Sequence, residues 1–128
     1  MRLMLDTHTF LWYITDSPQV SDKAREHIDD EQNQILLSAA SVWEMAIKHS
    51  QGKLCLTMPF DVFVLLQLRM NDFRQLDIQR RHIDAVATLP FHHRDPFDRL
   101  LIAQAMVERI SVLSANSALD AYPIQRVW

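Results

Sequence analysis

Five polar residues of this sequence are candidates for chemistry, because each stands beside an apolar run or inside one. Asp6 and Asn116 each follow a short apolar run, and Glu44 lies within a longer apolar segment. Asp95 and Asp98 are three residues apart, so on a helix they would share one face. Mg²⁺ prefers oxygen ligands of this kind and works beside phosphates. The set therefore indicates a divalent-metal site that acts on a phosphorylated substrate.

Three of these positions have an ordinary structural explanation as well. Asp6 and Asn116 are suited to turns and helix caps. Ser41 and Glu44 have the spacing of a capping box, and Glu44 with Lys48 would form an i,i+4 ion pair on a helix. From the residues alone, the structural explanation is at least as strong as the functional one for each position.

The segment around Asp95 and Asp98 carries a further indication. Asp95 precedes Pro96, which predicts Asp95 as a helix N-cap and Pro96 as the first helical residue. Asp98 then falls in the first turn, where a carboxylate suits the positive end of the helix dipole. Capping does not explain why four potential cations crowd the same turn: His92, His93, Arg94 and Arg99. Acids among cations indicate a place for a metal and a phosphate.

The elements that position these residues alternate along the chain. Continuous apolar runs predict strands, and segments with 3.6-residue apolar spacing predict helices. The predicted strands are 2–5, 34–38, 73–78, 110–113 and 124–128, and the predicted helices lie around 10–14, 22–28, 39–53, 60–70, 80–89, 97–109 and 118–122. This alternation predicts an α/β fold with a parallel sheet. Because ligand sites in such folds lie beyond the carboxyl ends of the strands, Asp6 and Asn116 are expected at one sheet edge.

The apolar spacing also predicts which side chains face the core. In the helix that begins at residue 39, Trp43 and Ile47 are expected inward. In the helix that begins at residue 80, Ile83 and Ala87 are expected inward. Trp12 and Trp43 are therefore expected to be core residues rather than platforms for stacking bases.

Length and composition limit the class of protein. The chain has 128 residues, of which 48% are hydrophobic, so we expect one compact domain over residues 1–128. A single cysteine, Cys55, excludes an intrachain disulfide and a cysteine-based zinc site, and the cytosol is the expected compartment. The apolar start is too short for a signal peptide or a membrane span. A net charge of −3 argues against a nucleic-acid binder, although bound divalent cations would weaken that objection.

Several catalytic motifs are missing from the sequence. The histidines lack the HExxH spacing of a zinc helix, and a chain with one glycine has no glycine-rich phosphate loop. There is no G-x-S-x-G turn for a serine hydrolase. Metal chemistry based on carboxylates is what remains.

Four segments of the sequence resemble proteins of the PIN-domain family. They are MLDTHTFLW, LSAASVWEMAIKHSQGKL, LPFHHRDPFDRLLIAQA and LSANSALDAYPIQRVW, and they follow the family's order over nearly the whole chain. HHRDPFDRLLIAQA is the most specific of them. Within the family, the sequence is similar to the VapC-like toxins of bacterial toxin–antitoxin systems. The resemblance implies a three-layer α/β/α sandwich with a central, mainly parallel sheet.

The resemblance also implies an activity, a cofactor and partners. It implies an endoribonuclease that uses Mg²⁺ or Mn²⁺ to hydrolyse RNA phosphodiester bonds, is inhibited by a cognate antitoxin protein and forms a homodimer. The family's acidic positions fall on Asp6, Glu44 and Asp98, with Asp95 as an accessory to the site. Asp6 and Asp98 would anchor the metal. Flanking phosphates could be held by several cations: Arg94, Arg99, Lys48 and the His92–His93 pair.

One position departs from the family's pattern. The fourth acidic position, after the penultimate strand, is commonly an Asp within T-x-D, whereas this sequence has Ser114, Ala115 and Asn116. The Asn116 amide brings no charge, although it could hold a water or bind the metal weakly. Asp120, four residues further on, is the alternative for this role.

Two other functions stay open at this stage. Asn116 and the acidic net charge are compatible with a PIN-like scaffold that has lost catalysis and binds proteins. The same carboxylates could also serve a DNA nuclease or a metal-dependent phosphatase. The helix around 60–70 is apolar almost all round, which is typical of a core helix, but part of it could lie at a dimer or antitoxin interface.

Overall fold

A five-stranded parallel sheet forms the centre of the molecule, in the order β3-β2-β1-β4-β5. The computed structural model describes all residues, Met1–Trp128. The strands are β1 (Arg2–Leu5), β2 (Gln34–Ser38), β3 (Arg74–Leu76), β4 (Ser111–Leu113) and β5 (Arg126–Val127). All four strand pairs are parallel, as the apolar runs predicted.

Six α-helices and one short 3₁₀ helix connect the strands. They are α1 (Thr7–Ile14), α2 (Asp22–Asp29), α3 (Ala39–Ser50), α4 (Phe60–Met70), α5 (Arg80–Ala87) and α6 (Pro96–Glu108), with the 3₁₀ helix at Ser117–Ala121. The predicted start signals are confirmed, because the side chains of Ser21 and Asp95 cap α2 and α6. None of the helices is both long enough and apolar enough to cross a lipid bilayer.

The sheet separates two apolar cores. Leu3 and Leu5 of β1 point to one face, where they pack with Phe10 of α1. Met4 points to the other face, where it packs with Leu101 and Ile102 of α6. Side chains on successive strand residues alternate between faces, so a strand with apolar residues throughout must be covered on both sides. The predicted three-layer α/β/α architecture is confirmed.

The register brings three carboxyl-terminal strand ends together. Leu5 of β1 is level with Leu37 of β2 on one side and with Leu113 of β4 on the other. The chain order reverses between β1 and β4, and such a switch point is where α/β sheets leave a crevice for ligands. The residues that follow β1, β2 and β4 therefore meet at one sheet edge.

The prediction that Trp43 of α3 faces the core is wrong. Trp43 is 58% exposed, whereas Ala40, Ser41 and Met45 are buried. The buried Ser38 caps α3 and bonds to Gln104 of α6, so the strand end sets the orientation of the helix. Residues two apart on a helix lie about 200° apart around its axis, so burying Ser41 turns Trp43 outward.

The predicted inward face of α5 is also wrong. Ile83 is 53% exposed and Ala87 is exposed as well. The buried position belongs to His82, whose ring Nδ1 accepts a bond from the Gln79 backbone N–H at 3.0 Å. A histidine whose ring Nδ1 is hydrogen-bonded and whose Nε2 lies 3.5 Å from the Glu108 carboxylate can occupy a core position, and apolar spacing does not detect it.

Candidate active site

Asp6 is the first acid of the sheet edge. It follows β1 and caps α1, with Oδ1 accepting from the Thr9 backbone N–H at 2.8 Å, and its backbone N–H donates to the Leu113 carbonyl of β4 at 3.2 Å. The side chain is almost fully buried. A cleft of about 320 Å³ opens beside it and is lined by Asp6, His8, Trp12, Ala115 and Asn116. Asp6 therefore caps α1 and also lines a cleft at the sheet edge.

Glu44 lies next to this edge and is held by two neighbours. The Thr7 hydroxyl donates to Glu44 Oε1 at 2.7 Å and lies 3.0 Å from the Ser41 Oγ. Lys48 Nζ lies 3.4 Å from Glu44 Oε2, as the i,i+4 spacing predicted. Because Thr7 follows Asp6 directly, this contact ties the start of α1 to α3.

Asp95 and Asp98 occupy the first turn of α6. Asp95 is the N-cap, and its Oδ1 accepts from the Asp98 backbone N–H at 3.0 Å, with Pro96 as the first helical residue. Asp98 Oδ2 lies 2.9 Å from His93 Nε2 in the loop before the helix. The predicted cap is confirmed, and the Asp98 carboxylate points back to the loop that carries the histidines.

The acids act on one another electrostatically. The pKa of Asp98 is raised from its usual 3.8 to about 6, mainly by burial and then by the negative charge of Asp95, against a lowering by His93. Asp6 and Glu44 are smaller causes in the same direction. Four carboxylates from three separate segments of the chain therefore share one region of negative potential.

The acids do not form a ready-made metal cage. No group of three or more His, Cys, Asp or Glu side chains is arranged so that it could hold a metal ion. Each acid has a protein partner instead: the Thr9 N–H for Asp6, Thr7 and Lys48 for Glu44, and His93 for Asp98. The donor chemistry nevertheless fits a hard cation, because carboxylate oxygens dominate the site and the charges of Asp95, Asp6 and Glu44 all help to raise the pKa of Asp98.

Asn116 lies at the site, whereas Asp120 is engaged elsewhere. Asn116 follows β4 and lines the cleft, and its Nδ2 lies 3.5 Å from His93 Nε2. Its Oδ1 caps the 3₁₀ helix by accepting from the Ala118 N–H. Asp120 is paired with Arg126 by two bonds of 2.8 and 2.9 Å, which lowers the pKa of that carboxyl. Asp120 is therefore committed to a surface ion pair.

The phosphate-binding role expected for Arg99 is wrong. Arg99 is only 5% exposed, and its guanidinium donates to the carbonyls of Pro90 and Leu89 at 2.9 and 3.0 Å. These two bonds tie α6 to the loop that precedes it. Among the expected cations, Arg94 and His92 are exposed, while Lys48 and His93 contact acids of the site.

Three residues of the site had not been singled out from the sequence. Thr7 holds Glu44, and Ser41 contacts the Thr7 hydroxyl. Tyr122 accepts at its hydroxyl from the backbone N–H groups of His92 and His93 at 3.0 and 2.9 Å. Thr7 could have been found from its place beside Asp6. Ser41 resembled an ordinary cap, and Tyr122 is thirty residues away from the loop that it supports, so spacing gave no signal.

The fold and sequence can be compared with those of known proteins. The family model of the PIN domain matches residues 3–125. No curated protein matches the sequence.

Similar solved structures cover almost the whole chain. VapBC2 from Rickettsia felis bound to a promoter DNA fragment has a TM-score of 0.73 at 15% identity, covering 98% of this chain and 97% of that one. FitAcB from Neisseria gonorrhoeae has a TM-score of 0.68 at 17% identity, covering 97% and 95%. VapBC-1 from nontypeable Haemophilus influenzae has a TM-score of 0.65 at 13% identity, covering 98% and 96%. These likenesses show the shared fold, and with the match over residues 3–125 they establish that the chain belongs to the PIN domain family.

Proposed function

We propose that this protein is a divalent-metal-dependent endoribonuclease that acts as the toxin of a toxin–antitoxin pair. The observation that carries the proposal is the electrostatic cluster around Asp98, where burial and three neighbouring acids raise the carboxyl pKa to about 6. Concentrated negative charge at the switch point of a parallel sheet suits a cation that neutralises a phosphodiester. The PIN family is one of nucleases in general, which supports the same reaction class.

The proposed metal ligands are the acids themselves. Asp6 and Asp98 would hold Mg²⁺ or Mn²⁺, and Glu44, Asp95 and the Asn116 amide would orient its water shell. When bound, such an ion lowers the pKa of water and neutralises charge on the transferring phosphoryl group. The Thr7 hydroxyl fixes Glu44 Oε1 in place, so the orientation of that carboxylate needs no large rearrangement.

The remaining cations would hold the substrate backbone. Arg94 is exposed at the loop before α6, and Lys48 lies beside Glu44. Contacts to phosphates position the chain without reading its sequence. A bound metal would supply part of the positive field that a chain with a net charge of −3 lacks.

The partners follow from the same proposal. VapBC2 of Rickettsia felis was solved on promoter DNA, and the similar FitAB complex was solved on a DNA fragment. We propose that this chain likewise pairs with an antitoxin and forms a homodimer in the cytosol. The exposed stripe of α4 offers apolar surface for a protein contact, with Val62, Leu65, Leu66 and Met70 all at least 38% exposed.

Cleavage of RNA by the purified chain is the direct test of the proposal. With Mn²⁺ present, we expect a single-stranded RNA to be cut internally, and EDTA in excess over the metal should stop the reaction. Matched DNA and a small phosphoester should be cut far more slowly. Cleavage that persists in EDTA, or a preference for the small phosphoester, would contradict the proposal.

Calorimetric titration with Mn²⁺ separates metal binding from catalysis. We expect the wild-type chain to bind Mn²⁺ and the Asp6→Asn variant to lose at least about tenfold in affinity, because a charged ligand is removed. The asparagine amide still accepts from the Thr9 N–H, so α1 keeps its cap. An unchanged melting temperature with weaker Mn²⁺ binding would support this reading, and equal Mn²⁺ affinities would contradict it.

Metal binding should also depend on pH around Asp98. Because its pKa is raised to about 6, a large part of the carboxyl is protonated at pH 5.5, and only the deprotonated form binds a cation. Mn²⁺ affinity is therefore expected to rise between about pH 5 and pH 7 and to level off above. The same titration on Asp98→Asn should lack this rise. A wild-type affinity that stays flat over the range would exclude Asp98 as a ligand.

A protein-binding scaffold without catalysis is the second candidate. Two observations favour it: the amide of Asn116 at the fourth position, and acids whose oxygens are paired with protein groups rather than gathered around a cage. The Mn²⁺ titration decides between the two, because a scaffold of this kind would give no binding heat and no RNA cleavage.

A further inference from the structure

Two aromatic side chains beside the carboxylates have no part in the function proposed so far. Trp43 is 58% exposed, although a tryptophan is highly buried on average. It precedes Glu44 on α3, and its ring contacts Phe97, which precedes Asp98 on α6. The two ring centroids are 5.0 Å apart with an interplanar angle of 69°, which is an edge-to-face contact. The pair therefore bridges the two helices that supply Glu44 and Asp98.

We propose that Trp43, supported by Phe97, is a stacking platform for one nucleobase of the RNA substrate. This inference rests on the proposed nuclease function and adds a substrate-binding residue to it. The phosphodiester next to the stacked base would lie at the carboxylates, since the platform and the acids occupy neighbouring positions on the same two helices.

The geometry of the pair suits stacking. An edge-to-face contact leaves at least one face of the indole ring free of Phe97, and the exposure of Trp43 shows that solvent reaches it. Phe97 also holds the indole ring in place, so less side-chain freedom is lost when a base binds. Every base has a π-face, but only an unpaired base can present it, which excludes a continuous duplex as the preferred substrate.

The charges near the platform favour a nucleotide over a protein partner. The neighbouring groups are Glu44, Lys48 and Asp98, with Lys48 Nζ 3.4 Å from the Glu44 carboxylate. The centre of a protein interface is depleted of charged residues, because they must lose their water. A nucleotide instead brings one flat apolar ring for Trp43 and an anionic phosphate for the cations. The apolar stripe on α4 is the better candidate for a protein contact.

Direct binding of a short RNA tests the platform without any need for cleavage. The probe is a fluorescein-labelled RNA of about eight nucleotides, a length within the usual range for single-strand sites, and its anisotropy is measured in the Asp98→Asn background. Trp43→Leu keeps an apolar side chain without a π-face, and Trp43→Tyr keeps a ring. We expect the leucine variant to bind about 5- to 100-fold more weakly and the tyrosine variant to stay within about threefold.

Two controls define the specificity of this result. Ile83→Ala truncates an exposed apolar side chain on α5 and should leave the RNA affinity unchanged. An abasic oligonucleotide of the same length keeps the phosphates and loses the rings, so its affinity should not respond to Trp43→Leu.

RNA should also quench tryptophan emission in the chain with Trp43 but much less in Trp43→Leu, which retains Trp12 and Trp128.

The outcomes separate this inference from the proposed function. Equal RNA affinities of Trp43→Leu and the wild type would overturn the role of Trp43 as a stacking platform. If Trp43→Leu also dissociates an oligomer in light scattering, the surface around Trp43 forms a protein contact. RNA that binds through Trp43 but is never cut by the wild-type chain with Mn²⁺ overturns the nuclease and leaves the platform. If Trp43→Leu does not fold, Phe97→Leu is the second variant, with a smaller loss in the same direction.

Discussion

The Asp98→Asn variant is expected to lose RNA cleavage by at least about 100-fold while its fold becomes more stable at neutral pH. The substitution keeps the size of the side chain and one of its two oxygens, removes the charge and turns the other oxygen into an NH2 donor. Asp98 occupies the first turn of α6, where the Asp95 side chain and the following helix stay as they are. A loss of activity in a more stable protein would assign the charge to function rather than to folding.

The gain in stability follows from the sign of the pKa shift. Burial raises the pKa of the Asp98 carboxyl to about 6, above its usual 3.8. A raised folded-state pKa means that the folded chain disfavours the charged form of the carboxyl. The stability that the neutral Asp98 carboxyl contributes is therefore fully present below pH 3.8 and is lost as the pH rises through 6. Asparagine stays neutral and avoids this loss. We expect a gain of about 1 kcal/mol at pH 7.5, after allowing for solvent screening of a partly exposed group.

Urea unfolding of both chains at pH 7.5 and pH 4 measures this difference. The gain of Asp98→Asn should be present at pH 7.5 and nearly absent at pH 4. Asp120→Asn is the matched control for activity, because Asp120 is an acid after β4 that is paired with Arg126 outside the carboxylate cluster. It should retain RNA cleavage. Full cleavage by Asp98→Asn, or a loss of stability that is the same at both pH values, would refute the assignment.

The fold was predictable wherever one physical cause dominates. Leu3, Met4 and Leu5 are apolar at successive positions, which only a strand covered on both faces can use, and Asp95 before Pro96 specifies a helix start. The parallel sheet followed from the alternation of strands and helices, and the meeting of Asp6 with Asn116 at one edge followed from their places at the ends of two strands.

The errors have a common physical origin in contacts between distant segments. Trp43 was expected inward, but the buried bond between Ser38 and Gln104 orients α3 so that Ser41 is buried. The proximity of Asp98 to Glu44 also depends on packing of α3 against α6, and no local pattern encodes it. Position along the chain placed Arg99 among the phosphate-binding candidates, and only the folded loop shows that its guanidinium is occupied.

Replacing Arg99 by methionine is expected to destabilise the chain by about 3 kcal/mol, the largest stability effect that we predict. The guanidinium is nearly fully buried and donates to the carbonyls of Pro90 and Leu89. It also lies 3.9 Å from the centroid of the Phe91 ring, a cation–π contact. Methionine fills a similar volume but donates nothing, so the Leu89 carbonyl loses its partner and the Pro90 carbonyl keeps only the Tyr122 hydroxyl. Lysine should restore little, because one ammonium cannot span both carbonyls as the planar fork does.

The free energy of unfolding from urea titrations, at an unchanged m-value, is the measurement. Tyr122→Phe is the smaller companion variant, with an expected loss of about 1 kcal/mol, since the Tyr122 hydroxyl donates to the Pro90 carbonyl at 2.7 Å. Arg94→Met removes an exposed cation from the same loop and should leave the unfolding free energy within about 0.5 kcal/mol of wild type. If Arg99→Met instead has the unfolding free energy of the wild type but binds RNA more weakly, two conclusions follow. The Arg99 side chain contacts phosphate, and its bonds to Pro90 and Leu89 do not stabilise the loop that carries His93.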